Sequence, residues 1–129
     1  HAVKPSEGIF LEYAPISRDY TVPFSEEYLK ELKVNLKVFP AETAHILEYW
    51  LDASMFSRNI KVKRNNVAQV PWNMENCEND IKLYTGLDIK SVTTFATWML
   101  CSDYVRKYGE DNTHRIVNEY GTVLKKYLK

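Results

Sequence analysis

The chain opens without a helical period. Residues 1–24 hold three of the five prolines, Pro5, Pro15 and Pro23. Proline fixes φ and removes a backbone donor, so no long helix fits there. Ile9, Leu11 and Tyr13 alternate with Phe10 and Glu12, which predicts a short strand or an extended arm across the core. Ser25 then offers a hydroxyl to cap a helix, with Glu26 and Glu27 at the positive end of its dipole. Leu29, Leu32 and Leu36 set its apolar face. From Ala41 to about Phe56, Ala44, Leu47, Trp50, Leu51 and Ser54 share one side, while Glu42, His45 and Asp52 fall elsewhere. That pattern predicts a second amphipathic helix with an aromatic anchor.

Between Ile60 and Val70 the period changes. Ile60-Lys61-Val62-Lys63 alternates, Arg64-Asn65-Asn66 can turn, and Val67-Ala68-Gln69-Val70 alternates again. A small β-hairpin or a long loop is expected near 60–70. Asn73 or Asn76 can cap the next helix, which runs to about Tyr84, and Gly86 suits its end. Asp88 is placed to cap a long apolar helix from Ile89 to Tyr108, with Val92, Phe95, Ala96, Met99 and Leu100 on one face. After Gly109 a last helix carries Ile116, Val117, Tyr120, Val123, Leu124, Tyr127 and Leu128 in one stripe. The expected fold class is therefore mainly α. It is a compact bundle of about five helices, with residues 1–24 as an extended arm packing on a single helical domain at 25–129. Leu47, Trp50, Leu51, Val92, Phe95, Met99, Ile116, Tyr120 and Leu124 are the expected core.

Composition narrows the function classes. A chain of 129 residues is one domain and can bury a core without metal or disulfide support. Its 17 basic and 17 acidic residues cancel, which argues against a strongly basic nucleic-acid binder. No apolar run approaches the ~20 residues that span a bilayer, so no membrane partner is expected. Cys77 and Cys101 make no framework and are expected as free thiols, which points to an intracellular location. The chain begins at His1 and is read as a piece of a larger protein.

Local chemical signatures are missing. His1, His45 and His114 belong to no HxH or HExxH arrangement, so no metal is expected. Glu42 and His45, three apart, are read as a surface pair. No serine sits in a GxSxG elbow, and Cys101 in an apolar helix would be inert. Four scattered glycines exclude a phosphate loop. Glu75, Glu78 and Asp80 are read as complementing a helix dipole. No catalytic residue and no cofactor are expected.

Two features remain. Between Ala53 and Met74 lie four basic residues, Arg58, Lys61, Lys63 and Arg64, and no acidic one. They are the candidate partner-binding residues, placed to meet an acidic surface. The other feature is helix, turn, helix over Glu75–Tyr104. Taken with the preceding helix, it resembles a homeodomain-type trihelical unit, with Leu47 and Trp50 in the first helix and Val92 and Phe95 in the last. Thr97, Trp98, Met99 and Leu100 stand where that family carries base-reading side chains. The leading expectation is a non-enzymatic helical module that docks on a partner protein, in keeping with nine Tyr and three Trp. The alternative is a chromatin- or nucleic-acid-associated domain using the basic loop, and hence a nuclear location.

Overall fold

The structure is a computed structural model that describes residues 4–54 and 62–128. Among the described residues, four α-helices accompany a three-stranded parallel sheet and cover one of its faces. In chain order the elements are β1 (Glu12–Tyr13), α1 (Glu26–Asn35), β2 (His45–Glu48), α2 (Met74–Gly86), β3 (Ser91–Thr94), α3 (Ser102–Tyr108) and α4 (Glu110–Tyr127). The strands lie in the order β1-β2-β3, all parallel. Each parallel step needs a crossover, and α1 and α2 lie within the two connections. Helix dominates, as the periodicity predicts, but the described residues form four α-helices rather than five.

Within residues 1–24, Glu12 and Tyr13 form the two-residue strand β1. Ser25 caps α1, its Oγ accepting from Tyr28 N at 3.3 Å, and Asn73 caps α2, its Oδ1 accepting from Asn76 N at 3.0 Å. Helix α4 starts at Glu110, just after Gly109 turns the chain at φ +87°.

Two expected helices are not formed. Over 41–54, the described part of 41–56, Ala41–Thr43 make a 3-10 turn and His45–Glu48 a strand. The run Ile46-Leu47-Glu48-Tyr49-Trp50-Leu51 is apolar enough to satisfy either period, and pairing on both sides selects the strand. Over 89–108, Ser91–Thr94 is the third strand and only Ser102–Tyr108 is helical. Val92, Thr93 and Thr94 are β-branched, which favours extended backbone. Trp98 has φ +62°, a conformation no helix interior accommodates. Nor does Gly86 close α2 in the left-handed region. Asp88 does so instead, at φ +65°, and leads into β3 rather than into a helix. The helix–turn–helix over Glu75–Tyr104 is therefore absent.

Part of the expected hairpin near 60–70 lies outside the described residues. Within 62–70 the backbone makes a 3-10 turn at Arg64–Asn66, as the asparagines suggested, and no strand. Helix α3 holds this segment. Tyr104 Oη accepts from Val70 N at 3.1 Å, and Tyr108 Oη donates to Val67 O at 2.9 Å.

The core forms between one face of the sheet and the helices. Ile46, Glu48 and Val92 point into it, together with Leu32, Ile81, Tyr84, Ile89, Met99 and Ile116. Of the expected core, Trp50, Leu51, Val92, Met99 and Ile116 are buried, and Tyr120 and Leu124 pack against them half-buried. Leu47 is half-buried, and Phe95 is 41 % exposed. Both belong to extended backbone, so a helical stripe assigned them to the wrong side. Cys77 and Cys101 are both free, Cys77 in the core and Cys101 at the start of α3 rather than inside a helix.

Candidate functional site

Two polar constellations lie on β2. The buried one stands at the carboxyl ends of β1 and β2, where ligand sites of parallel sheets form. Glu48 is the last residue of β2, and alternation turns its side chain toward the helices. There it accepts from Arg18, in the segment after β1, and from the Tyr84 hydroxyl of α2. The second terminal nitrogen of Arg18 bonds Asp80, also on α2, which accepts from Trp50 Nε1 at 3.0 Å. The guanidinium lies 4.6 Å from the centre of the Phe24 ring. Arg18, Glu48 and Asp80 are each almost completely buried.

One guanidinium here faces two carboxylates, so charge does not balance. Burial pushes the Glu48 carboxyl up to about 7, against the pull of Arg18 and Tyr84, and the Asp80 charge adds to the rise. Asp80 is raised as well, by burial, against Arg18 and Trp50. Burial works against the Arg18 charge, yet Glu48 and Asp80 outweigh it and hold the guanidinium ionised. The Tyr84 hydroxyl is pushed far up by burial and by Glu48. Each of the three side chains is at most 2 % exposed. The arrangement ties the N-terminal arm to β2 and α2.

The exposed constellation is on the opposite face. His45 lies beside Ser91 in register, and Thr93 is its diagonal neighbour. Nδ1 of His45 is 2.6 Å from Ser91 Oγ, and Nε2 is 3.0 Å from Thr93 Oγ1. A hydroxyl within hydrogen-bond reach of an imidazole is the first part of a nucleophile and base pair. The second ring nitrogen, however, is held by another hydroxyl and not by a carboxylate. The three side chains thus lock one another as a polar layer on the sheet. Glu42 is not His45's partner, because His45 is on a strand and turned toward β3.

Beyond β2 and β3 the chain is unusually shaped. Ala53 N bonds Thr97 O at 3.0 Å, joining the two connections, and the Tyr49 and Phe95 rings stack at 5.6 Å. Asp52 is buried, and its Oδ1 accepts from Ser54 N at 2.9 Å. Trp98, held in the left-handed region, sits in the same connection as Phe95.

Of the sequence-predicted partner-binding residues, Arg58 and Lys61 lie outside the described residues. Lys63 is exposed before the 3-10 turn, and Arg64 is that turn's first residue. They follow β2 in the chain, and among the described residues Lys63 makes no hydrogen bond or ion pair with Arg18, Glu48 or His45. Glu75 is exposed in the first turn of α2, as expected for a dipole partner. Glu78 instead bonds Lys126 at 2.8 Å and also Tyr127, pinning the end of α4 to α2. Asp80 belongs to the buried cluster. Sequence reasoning missed Arg18, Glu48 and Asp80. Their one signal was Glu48 alone inside the apolar run 46–51, since a carboxylate there needs a partner. Among the described residues, no group of three His, Cys, Asp or Glu side chains could hold a metal ion. No helix among them is long and apolar enough to cross a membrane.

The chain matches no protein-family model, no curated protein and no solved structure.

Proposed function

We propose that this chain is a non-enzymatic association module that docks on a partner protein through the open face of its sheet. One observation carries the reading. The sheet is purely parallel, and such sheets occur almost only with both faces covered. Here one face packs on helices, while Glu12, Ser91 and Thr93 on the other are exposed and His45 and Leu47 half-buried. Leu47 supplies an apolar contact, and the His45, Ser91 and Thr93 layer supplies fixed donors and acceptors around it. An interface with an apolar centre and a polar rim is built this way. The segment carrying Arg58, Lys61, Lys63 and Arg64 follows β2 in the chain and would add attraction to an acidic partner surface. The nucleic-acid alternative keeps its basic loop but is without the helix–turn–helix over Glu75–Tyr104, where β3 stands instead.

The test is affinity purification from the native source with wild type, Leu47→Arg, and a Lys61, Lys63 and Arg64 triple glutamate variant. The Leu47 side chain is outside the core, so Leu47→Arg should fold and lose the partner. The triple variant should keep it more weakly and with less salt dependence. Full recovery of the same partner by Leu47→Arg would end the reading of the open face.

A further inference from the structure

We propose that β3 is a self-complementary edge through which two copies of this chain pair, antiparallel, about a two-fold axis at Thr93. The proposal concerns the edge of the sheet and not its open face.

The argument starts from the ladder. Phe95 N bonds Glu48 O at 2.7 Å, so Phe95 directs its backbone groups toward β2. Direction alternates along a strand. Ser91 and Thr93 therefore also face β2, while Val92 and Thr94 turn their N–H and C=O groups away from it. Strand β3 ends the sheet among the described residues, and no bond outside the ladder uses the Val92 or Thr94 N–H there. Four backbone groups thus line an edge that no strand among the described residues covers.

Free edges are normally guarded by a charge, a proline or a bulge. The opposite edge is guarded, because β1 has only two residues, carries Glu12 and runs into Pro15. The edge at β3 reads Ser91-Val92-Thr93-Thr94, uncharged, free of proline and rich in β-branched residues. Exposed apolar side chains follow it, Phe95 at 41 % and Leu100 at 64 %. The formal net charge of the chain is zero, so copies do not repel one another.

The occupant follows from symmetry. In an isologous dimer each residue meets its counterpart through a two-fold axis. With Thr93 on the axis, Val92 of each copy lies opposite Thr94 of the other. These are the residues with free edge groups, so each of the two pairs exchanges two hydrogen bonds. Thr93 meets Thr93 as the close pair without hydrogen bonds, side chains adjacent on the open face. Antiparallel edge strands on parallel sheets are common. A contact of this length belongs to the weak class, below about 1,200 Å² of buried surface, so the dimer forms reversibly and at high concentration.

The experiment uses the purified chain alone, so its outcome does not depend on any docking partner. Sedimentation across a wide concentration range should show monomer passing to dimer. Amide exchange at Val92 and Thr94 should slow as dimer forms, while Thr93 and Phe95, already bonded to β2, should not change. Thr93→Lys and Thr93→Glu each place like charges against each other at the axis and should both shift dimerisation to several-fold higher concentration. An equimolar mixture of the two should restore it, which a misfolded variant could not do. A chain monomeric throughout, or a dimer that leaves Val92 and Thr94 exchange unchanged or tolerates Thr93→Lys unaltered, would overturn the proposal.

Discussion

Arg18 reaches Glu48 with one terminal nitrogen and Asp80 with the other, and so joins the N-terminal arm to β2 and α2 inside the core. Among the described residues its Nε has no partner, and its side-chain hydrogen bonds are all to these two carboxylates. Arg18→Met keeps the length of the side chain and removes the charge. Glu48 and Asp80 are then left buried without a cation, a change that costs about 3–5 kcal/mol when a buried pair is broken. A chemical-denaturation midpoint equal to that of the parent would show that the cluster does not hold the arm.

The same cluster sets an acid-side stability maximum. The folded-state value of Glu48, about 7, lies above its ordinary value of 4.5. Its contribution to stability is therefore complete below pH 4.5 and is lost as pH rises through 7. Glu78 works in the opposite sense. Lys126 and Tyr127 hold it down to about 2, so its contribution is present above pH 4.5 and fades as pH falls toward 2. Melting temperature should peak near pH 5 and decline by pH 8. Glu48→Gln should flatten the decline above pH 5 and leave the acid limb in place.

Phe95 and Met99 invert the expectation that a helix would give. On a shared helical face both would be core. In the structure Met99 is fully buried and Phe95 is half-exposed against Tyr49. Met99→Ala should cost about 2–5 kcal/mol, while Phe95→Ala should stay below about 1.5 kcal/mol, the value of one exposed aromatic contact. Equal losses in parallel melts would restore the helical reading of 89–100.

The sequence displayed some of these features and hid others for identifiable reasons. The caps at Ser25 and Asn73 and the stripe of α4 are local, and local rules found them. Strands β2 and β3 are only four residues each and are stabilised by partners distant in sequence. Their apolar residues fit a helical stripe equally well, so only pairing could decide. The Arg18, Glu48 and Asp80 cluster spans 62 residues of chain, and no spacing rule links such positions. His45 meets Ser91 and Thr93 for the same reason, through register. The basic residues at 58–64 were conspicuous because charge is visible in any sequence.

Two glycines separate backbone conformation from packing. A Cβ built on Gly109 or on Gly121 meets nothing within 4 Å, so space favours neither. Gly109 has φ +87° and ψ 150° between α3 and α4, a region almost closed to any residue with a side chain. Gly121 lies inside α4 with ordinary helical backbone, where alanine is preferred by about 1 kcal/mol. Gly109→Ala should therefore destabilise by about 1–3 kcal/mol, and Gly121→Ala should stabilise by about 1 kcal/mol. Alanine at Gly109 would also strain the turn that sets α3 against α4. The loss there should come with faster amide exchange through 102–108, whereas Gly121→Ala should slow exchange along α4. If both variants shift the denaturation midpoint in the same direction, the turn at Gly109 is not the one described.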